Sequence, residues 1–197
     1  MARTVIKYGE ETLTYAGEEF YTSPKGARAM LEKYGLAIIP DRLTPEECQQ
    51  MNEGMWNTAE YLTSKLSKPL KRSDPSTYYS MINLLPKDGG LFQKYGWGHA
   101  QYVWDVRSHP KVAEVFEEVY GTKELLVSFD GINCGLGPVI NDPKILPEQK
   151  GMYQGKHNLH CEQRFIMNDF EQLQTWVTAN PIGWYMINFC TLLKTKV

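Results

Sequence analysis

The chain has 197 residues and a mass of 22.7 kDa, of which 42% are apolar and 22% are charged. A chain of this kind can bury a core without disulfides or a structural metal, which excludes intrinsic disorder as its main state. Its 23 acidic residues and 21 Lys and Arg give a net charge of -2, which excludes a strongly basic surface for nucleic acid or anionic lipid.

The length predicts one domain over residues 1–197. The sequence contains no apolar run of about 18 residues, and its first residues lack the apolar core of a signal peptide. The four cysteines are widely spaced and include no Cys-x-x-Cys pair, so neither a zinc knuckle nor a redox pair is indicated. We therefore expect a non-secreted, cytoplasmic protein with no nucleic-acid or membrane partner.

Two helices and one strand are predicted in the first third of the chain. Ser23 and Pro24 begin a short helix that ends at Gly35. The apolar run at residues 36–39 predicts a buried strand. A longer helix begins at the capping box of residues 44–47, Thr-Pro-Glu-Glu. Its apolar stripe favours packing on a core and consists of Cys48, Met51, Met55, Ala59, Leu62 and Leu66.

The middle of the chain predicts a loop, two strands and a helix. Residues 68–76 are basic and contain proline, which is typical of a solvated loop without a function. Residues 78–85 predict a strand, and residues 86–90 predict a turn after it. Ser108 and Pro110 begin a third helix that ends at Gly121. Residues 124–129 then predict a strand.

The last third predicts a long loop and two strands. Residues 131–158 contain five Gly and three Pro with little periodicity, which is typical of a lid, a binding loop or disorder. Residues 159–165 and 173–179 predict strands, the second with apolar and polar positions alternating. Helices in the first half and strands in the second favour an α+β fold with helices packed outside a sheet.

Histidines cluster directly after the long loop. Two of the four, His157 and His160, fall in the segment His-Asn-Leu-His-Cys-Glu-Gln. On a strand, His160 and Glu162 project from the same face and can bind one cation, and this donor pair suits Fe(II), Mn or Zn. A further His would complete a two-His, one-carboxylate face with positions open for an oxygenase reaction. The alternatives are a chance His-x-Glu pair and a surface or lid role for His157.

Residues 97–107 combine aromatic rings with polar groups and are suited to line a pocket. The structural alternatives are an ion pair between Asp105 and Arg107, and packing or capping roles for His99 and His109.

Gln163 lies in the predicted metal strand, and Trp176 lies in the next predicted strand along the chain. Gln163 is placed to hydrogen-bond a ligand there. Trp176 is a candidate for the floor of the pocket, although a core position is the more usual one for such a residue.

Five segments, taken in order, resemble the phytanoyl-CoA dioxygenase-like branch of the Fe(II)/2-oxoglutarate-dependent oxygenases. These segments are residues 98–107 (GHAQYVWDVR), 109–113 (HPKVA), 125–131 (LLVSFDG), 160–163 (HCEQ) and 174–179 (QTWVTA). The likeness covers about residues 25 to 180. Its more specific parts are the Trp-Asp-x-Arg and Ser-Phe-Asp-Gly segments.

The resemblance implies a double-stranded β-helix, or jelly roll, with helices packed outside the sheet. It also implies Fe(II) and 2-oxoglutarate as cofactors and the hydroxylation of an unactivated C–H bond in a small-molecule or lipid-like substrate. The implied metal ligands are His160 and Glu162. The candidate cofactor contacts are Gln163 and Trp176, and the candidate substrate contacts are Gln101, Trp104 and Asp130.

The sequence departs from the family at two points. Glu162 stands where the family usually has Asp, and its one additional methylene is expected to shift the position of a bound ion without preventing ligation. The family's second metal His and the Arg for 2-oxoglutarate follow the segment at residues 174–179, but residues 180–197 contain neither His nor Arg. We therefore expect an incomplete jelly roll with a divergent tail over residues 180–197. His99 or His157 is then the candidate to replace the missing ligand.

Three hypotheses follow from this pattern. The first is a dioxygenase that uses His160 and Glu162. The second is a catalytically inactive descendant that serves as a binding or interaction module. The third is a zinc-dependent hydrolase that uses His157, His160 and Glu162.

Overall fold

The computed structural model describes residues 4–8, 11–84, 91–128, 131–133, 172–179 and 189–194. Its α-helices are α1 (Ala27–Tyr34), α2 (Pro45–Thr63), α3 (Gln101–Arg107) and α4 (Pro110–Tyr120). Its 3-10 helices are Gly17–Phe20, Pro24–Gly26, Pro75–Leu84 and Trp97–His99. Its strands are β1 (Thr4–Tyr8), β2 (Glu11–Tyr15), β3 (Leu91–Phe92), β4 (Leu125–Val127), β5 (Ile132–Asn133), β6 (Gln172–Trp176) and β7 (Phe189–Lys194).

The described residues form two compact units. The first unit draws on Met1–Arg42 and Pro110–Lys123, and the second on Leu43–His109 and Glu124–Val197. The expectation of a single domain stays a prediction. No described helix is at once long enough and apolar enough to cross a membrane.

In the first unit, α1 packs against α4, and β1 pairs with β2 in antiparallel register. Among the residues of this unit whose burial the structure describes, the buried ones are Ala27, Val112, Phe116, Val119 and Tyr120. The predicted helix starts are confirmed within a few residues, and both predicted ends are confirmed. Gly35 and Gly121, which follow α1 and α4, adopt the left-handed φ values of 69° and 67° that favour glycine at a helix end.

The predicted strand at residues 36–39 is wrong. Only Ile38 makes a β-bridge, to Tyr21, and Leu36 is 47% exposed rather than buried. The partner segment around Tyr21 lies between the 3-10 helices Gly17–Phe20 and Pro24–Gly26, so it offers too few extended residues for a longer ladder. The apolar run thus supplies one bridge rather than a strand.

In the second unit, α2 begins as predicted. The Thr44 hydroxyl accepts a hydrogen bond from the Glu47 N–H at 3.2 Å, and the Glu47 carboxylate accepts one from the Thr44 N–H at 2.7 Å. The buried face of the helix consists of Met51, Met55, Ala59 and Thr63. The helix ends at Thr63, so Leu66 of the predicted stripe lies beyond it.

The predicted strand at residues 78–85 is also wrong, because Pro75–Leu84 is a 3-10 helix. The reason is local. The Asp74 carboxylate accepts hydrogen bonds from the N–H and the hydroxyl of Ser76, and the Thr77 N–H donates to the Asp74 carbonyl. These bonds, with Pro75 at the first position, turn the chain before an extended segment can form.

The predicted loop at residues 68–76 ends at Asp74, because Pro75 begins the 3-10 helix. It is basic and partly exposed, as predicted, but its Leu70 side chain is buried and its Arg72 is bonded to α2. The Arg72 guanidinium pairs with the Glu60 carboxylate of α2 at 2.9 Å. The Glu60 carboxylate also accepts a hydrogen bond from the Arg72 backbone N–H at 2.6 Å. The basic charge of Arg72 therefore serves to hold the loop on α2.

Two antiparallel strand groups belong to the second unit. β3 pairs with β5, and β7 lies between β4 and β6 in a three-stranded sheet. The predicted strands at residues 124–129 and 173–179 are confirmed in part, as β4 over Leu125–Val127 and as β6, which ends at Trp176 rather than at residue 179. Near the start of the predicted loop at 131–158, Ile132 and Asn133 form β5 instead. Gly131, just before β5, lies so close to β3 that a Cβ there would be 2.4 Å from the Phe92 carbonyl oxygen.

The predicted strand at residues 159–165, the rest of the predicted loop and most of the predicted tail lie outside the described residues. Helices and short antiparallel strands both occur in the described part of the chain. The α+β class and the jelly roll with helices outside it stay predictions.

Candidate functional site

The predicted metal ligands lie outside the described residues. This holds for His160 and Glu162, and also for His157, Gln163 and Asp130. Within the ranges that the structure describes, no group of three His, Cys, Asp or Glu residues is placed to hold a metal ion. The described candidates for a functional site are therefore His99, Gln101, Trp104 and Trp176.

The surface that carries Gln101 and Trp104 is built on a buried support. The 3-10 turn Trp97–His99 begins after Gly96, whose φ of 70° needs a glycine. The buried Trp97 indole packs on the Phe92 ring at 4.6 Å between centroids. It also donates its Nε1–H to the Tyr102 hydroxyl at 2.6 Å, which ties the turn to α3.

A buried arginine holds the other end of α3. Arg107 is only 5% exposed, and its guanidinium donates from Nη1 to the Gly98 carbonyl at 2.8 Å. Burial of a charged group costs free energy unless hydrogen bonds satisfy it, and a bond from a charged donor is stronger than a neutral one. Arg107 thus links the last residue of α3 to the turn that precedes the helix.

The opposite face of α3 is exposed and polar-aromatic. We call it the α3 surface, and it consists of Gln101, Trp104 and Asp105 of α3 together with His99 of the preceding turn. Trp104 is 40% exposed, and its ring lies 6.4 Å from the His99 ring at an interplanar angle of 44°. Gln101 donates from Nε2 to the Asp105 carboxylate at 2.8 Å. This arrangement can stack a flat ring of a ligand on Trp104 and offer hydrogen-bond acceptors to N–H or O–H groups of the same ligand.

Trp176 lies on the exposed side of β6. It is 50% exposed, as expected from the alternation along the strand, in which Leu173 and Thr175 are half-buried and Gln174 is exposed. The expectation that Trp176 packs in the core is therefore wrong. Since successive side chains of a strand point to opposite faces, the burial of Leu173 and Thr175 directs Trp176 outward. Its role beside a cofactor stays a prediction.

His109 has a structural role. Its Nε2 lies 3.1 Å from the Glu47 carboxylate at the start of α2. The hydrogen bond from the Thr44 N–H lowers the pKa of Glu47, and the hydrogen bond with His109 lowers it further. The prediction of a packing or capping histidine is confirmed for His109. This leaves His99 and His157 as the candidates for a further metal ligand.

Sequence reasoning missed the close approach that supports α3. A Cβ at Gly54 of α2 would lie 2.5 Å from the Tyr102 Cβ, so only glycine lets these two helices meet at this point. An isolated glycine inside the helical pattern of residues 44–66 was the available signal, because glycine is unfavourable in the interior of a helix and, having no Cβ, lets a neighbouring element approach closely.

One relative among known proteins is informative. The chain is 31% identical over 120 residues to "Ava biosynthesis cluster protein O" from Aspergillus versicolor. The match covers 61% of this chain and 37% of that protein, so the aligned region spans little more than a third of the relative. No protein-family model and no solved structure matches the chain.

Proposed function

We propose that this chain is an Fe(II)/2-oxoglutarate-dependent dioxygenase that hydroxylates a small-molecule or lipid-like substrate. The observation that carries the proposal is the His160-x-Glu162 pair inside an ordered series of segments that resemble the phytanoyl-CoA dioxygenase-like enzymes. The likeness to a protein named for a biosynthesis cluster supports a small-molecule substrate.

The donor set fits the proposed metal. Imidazole nitrogen and carboxylate oxygen are the ligands of the two-His, one-carboxylate face that binds Fe(II) in oxygenases. His160 and Glu162 would supply one ligand of each kind, and His99 or His157 would supply the second imidazole. When bound, Fe(II) with 2-oxoglutarate would supply the oxidising chemistry that no side chain provides.

The protein's own contribution would be to bind and orient the substrate. The α3 surface supports this role because Trp104 presents an exposed aromatic face and Gln101 fixes the Asp105 carboxylate. The buried bonds of Trp97 and Arg107 would keep this surface rigid, which reduces the entropy lost on binding. Gln163, Trp176 and Asp130 complete the proposed set of cofactor and substrate contacts.

The test is Fe(II) binding by the full chain under anaerobic conditions, followed by succinate formation from 2-oxoglutarate in air. We expect stoichiometric Fe(II) binding by the wild type, its loss in His160→Ala and Glu162→Gln, and its retention in Glu162→Asp, which keeps a carboxylate. Glu46→Gln is the matched control, because Glu46 is exposed on α2 away from the proposed ligands in sequence. Circular dichroism checks that each variant is folded.

Two more variants identify the third ligand. His99→Ala and His157→Ala are compared, and we expect one of them to weaken Fe(II) binding while the other leaves it unchanged. The proposal would be overturned, in favour of an inactive binding module, if the folded wild-type chain bound no Fe(II). It would also be overturned if the His160→Ala variant bound Fe(II) as well as the wild type does. Tight Zn²⁺ binding with no turnover of 2-oxoglutarate would favour the hydrolase instead.

A further inference from the structure

We draw no further inference here: the strongest candidate, the exposed apolar patch of Tyr21, Tyr34 and Leu36 where α1 ends in the first unit, carries none because nothing in the described part of the structure shows what covers it.

Discussion

Glu47 uses both carboxylate oxygens, one for the Thr44 N–H and the other for His109. Because both contacts favour the ionised form, the pKa of Glu47 lies below its ordinary value in the folded chain. A carboxylate with a lowered pKa stabilises the fold above the pKa of the unfolded state, which is about 4.3 for Glu. That stabilisation is lost as the pH falls through the folded pKa.

Glu47→Gln should therefore destabilise the protein in a pH-dependent way. We expect the difference in free energy of unfolding between wild type and variant to be largest near neutral pH and to shrink below about pH 4. Urea unfolding at a series of pH values measures it. Glu46→Gln is the control, since Glu46 is an exposed neighbour in the same helical turn. An equal difference at every pH would show that ionisation of Glu47 does not contribute.

Thr63 is a second residue whose side-chain polar atom can be tested for its contribution to stability. Its buried hydroxyl donates to the Ala59 carbonyl at 2.8 Å and accepts from the Leu70 N–H at 3.1 Å. This hydroxyl thus holds the chain just after α2 on the end of the helix. Both Thr63 and Leu70 are almost completely buried, so water cannot replace the bond.

Thr63→Val keeps the shape of the side chain and removes the hydroxyl. The Leu70 N–H then stays buried without its acceptor, which costs about 1–3 kcal/mol. We expect lower stability in urea and faster hydrogen exchange of the Leu70 amide. Thr63→Ser is the control, because it keeps the hydroxyl and should keep the protection of that amide. Unchanged exchange at Leu70 in Thr63→Val would contradict the assignment.

At the scale of elements, the contact between α2 and α3 depends on Gly54. Glycine inside a helix costs about 1 kcal/mol relative to alanine, so a helix position normally gains stability from Gly→Ala. Here the new Cβ would lie 2.5 Å from the Tyr102 Cβ and 2.7 Å from its Cγ. The Tyr102 side chain is itself fixed by its bond with Trp97.

Gly54→Ala should therefore destabilise the protein, by about 1–3 kcal/mol, because overpacking outweighs the gain in helix propensity. Chemical denaturation measures the change. Gly17→Ala is the matched control, since a Cβ at Gly17 meets nothing within 4 Å. We expect the control to leave stability nearly unchanged. A gain of stability in Gly54→Ala would mean that α3 can shift without cost.

At the scale of the whole molecule, the two compact units carry different spectroscopic probes. All five tryptophans fall in the ranges that contribute to the second unit. The helical circular-dichroism signal comes from both units, because α1 and α4 belong to the first unit and α2 and α3 belong to the second. Tryptophan fluorescence therefore reports on the second unit, and far-ultraviolet circular dichroism reports on both.

Val112→Ala and Val103→Ala test whether the units unfold separately. Both valines are buried on helices, Val112 in the first unit and Val103 in the second, and each substitution costs about 2 kcal/mol. We expect Val112→Ala to lower the urea midpoint seen by circular dichroism and to leave the fluorescence midpoint unchanged. Val103→Ala should lower the fluorescence midpoint. Equal shifts of both probes in Val112→Ala would indicate a single cooperative transition.

For the candidate site, sequence reasoning placed Gln101 and Trp104 on one segment but did not separate its two faces. The structure puts Tyr102 and Arg107 in the interior and leaves Gln101 and Trp104 outside. Which face of a short helix is buried depends on the neighbouring elements, which local composition does not encode. The iron site at His160 and Glu162 stays a proposal that metal binding will test.

The sequence by itself determined the features that depend on residues three or four positions apart. The capping box at Thr44 and the glycines at the ends of α1 and α4 are of this kind, because caps and helical faces are satisfied within one turn of the chain. Only the tertiary structure decided that Gly54 admits Tyr102 and that His109 reaches Glu47. These pairs are 48 and 62 positions apart, and their contact exists only once separate helices pack together.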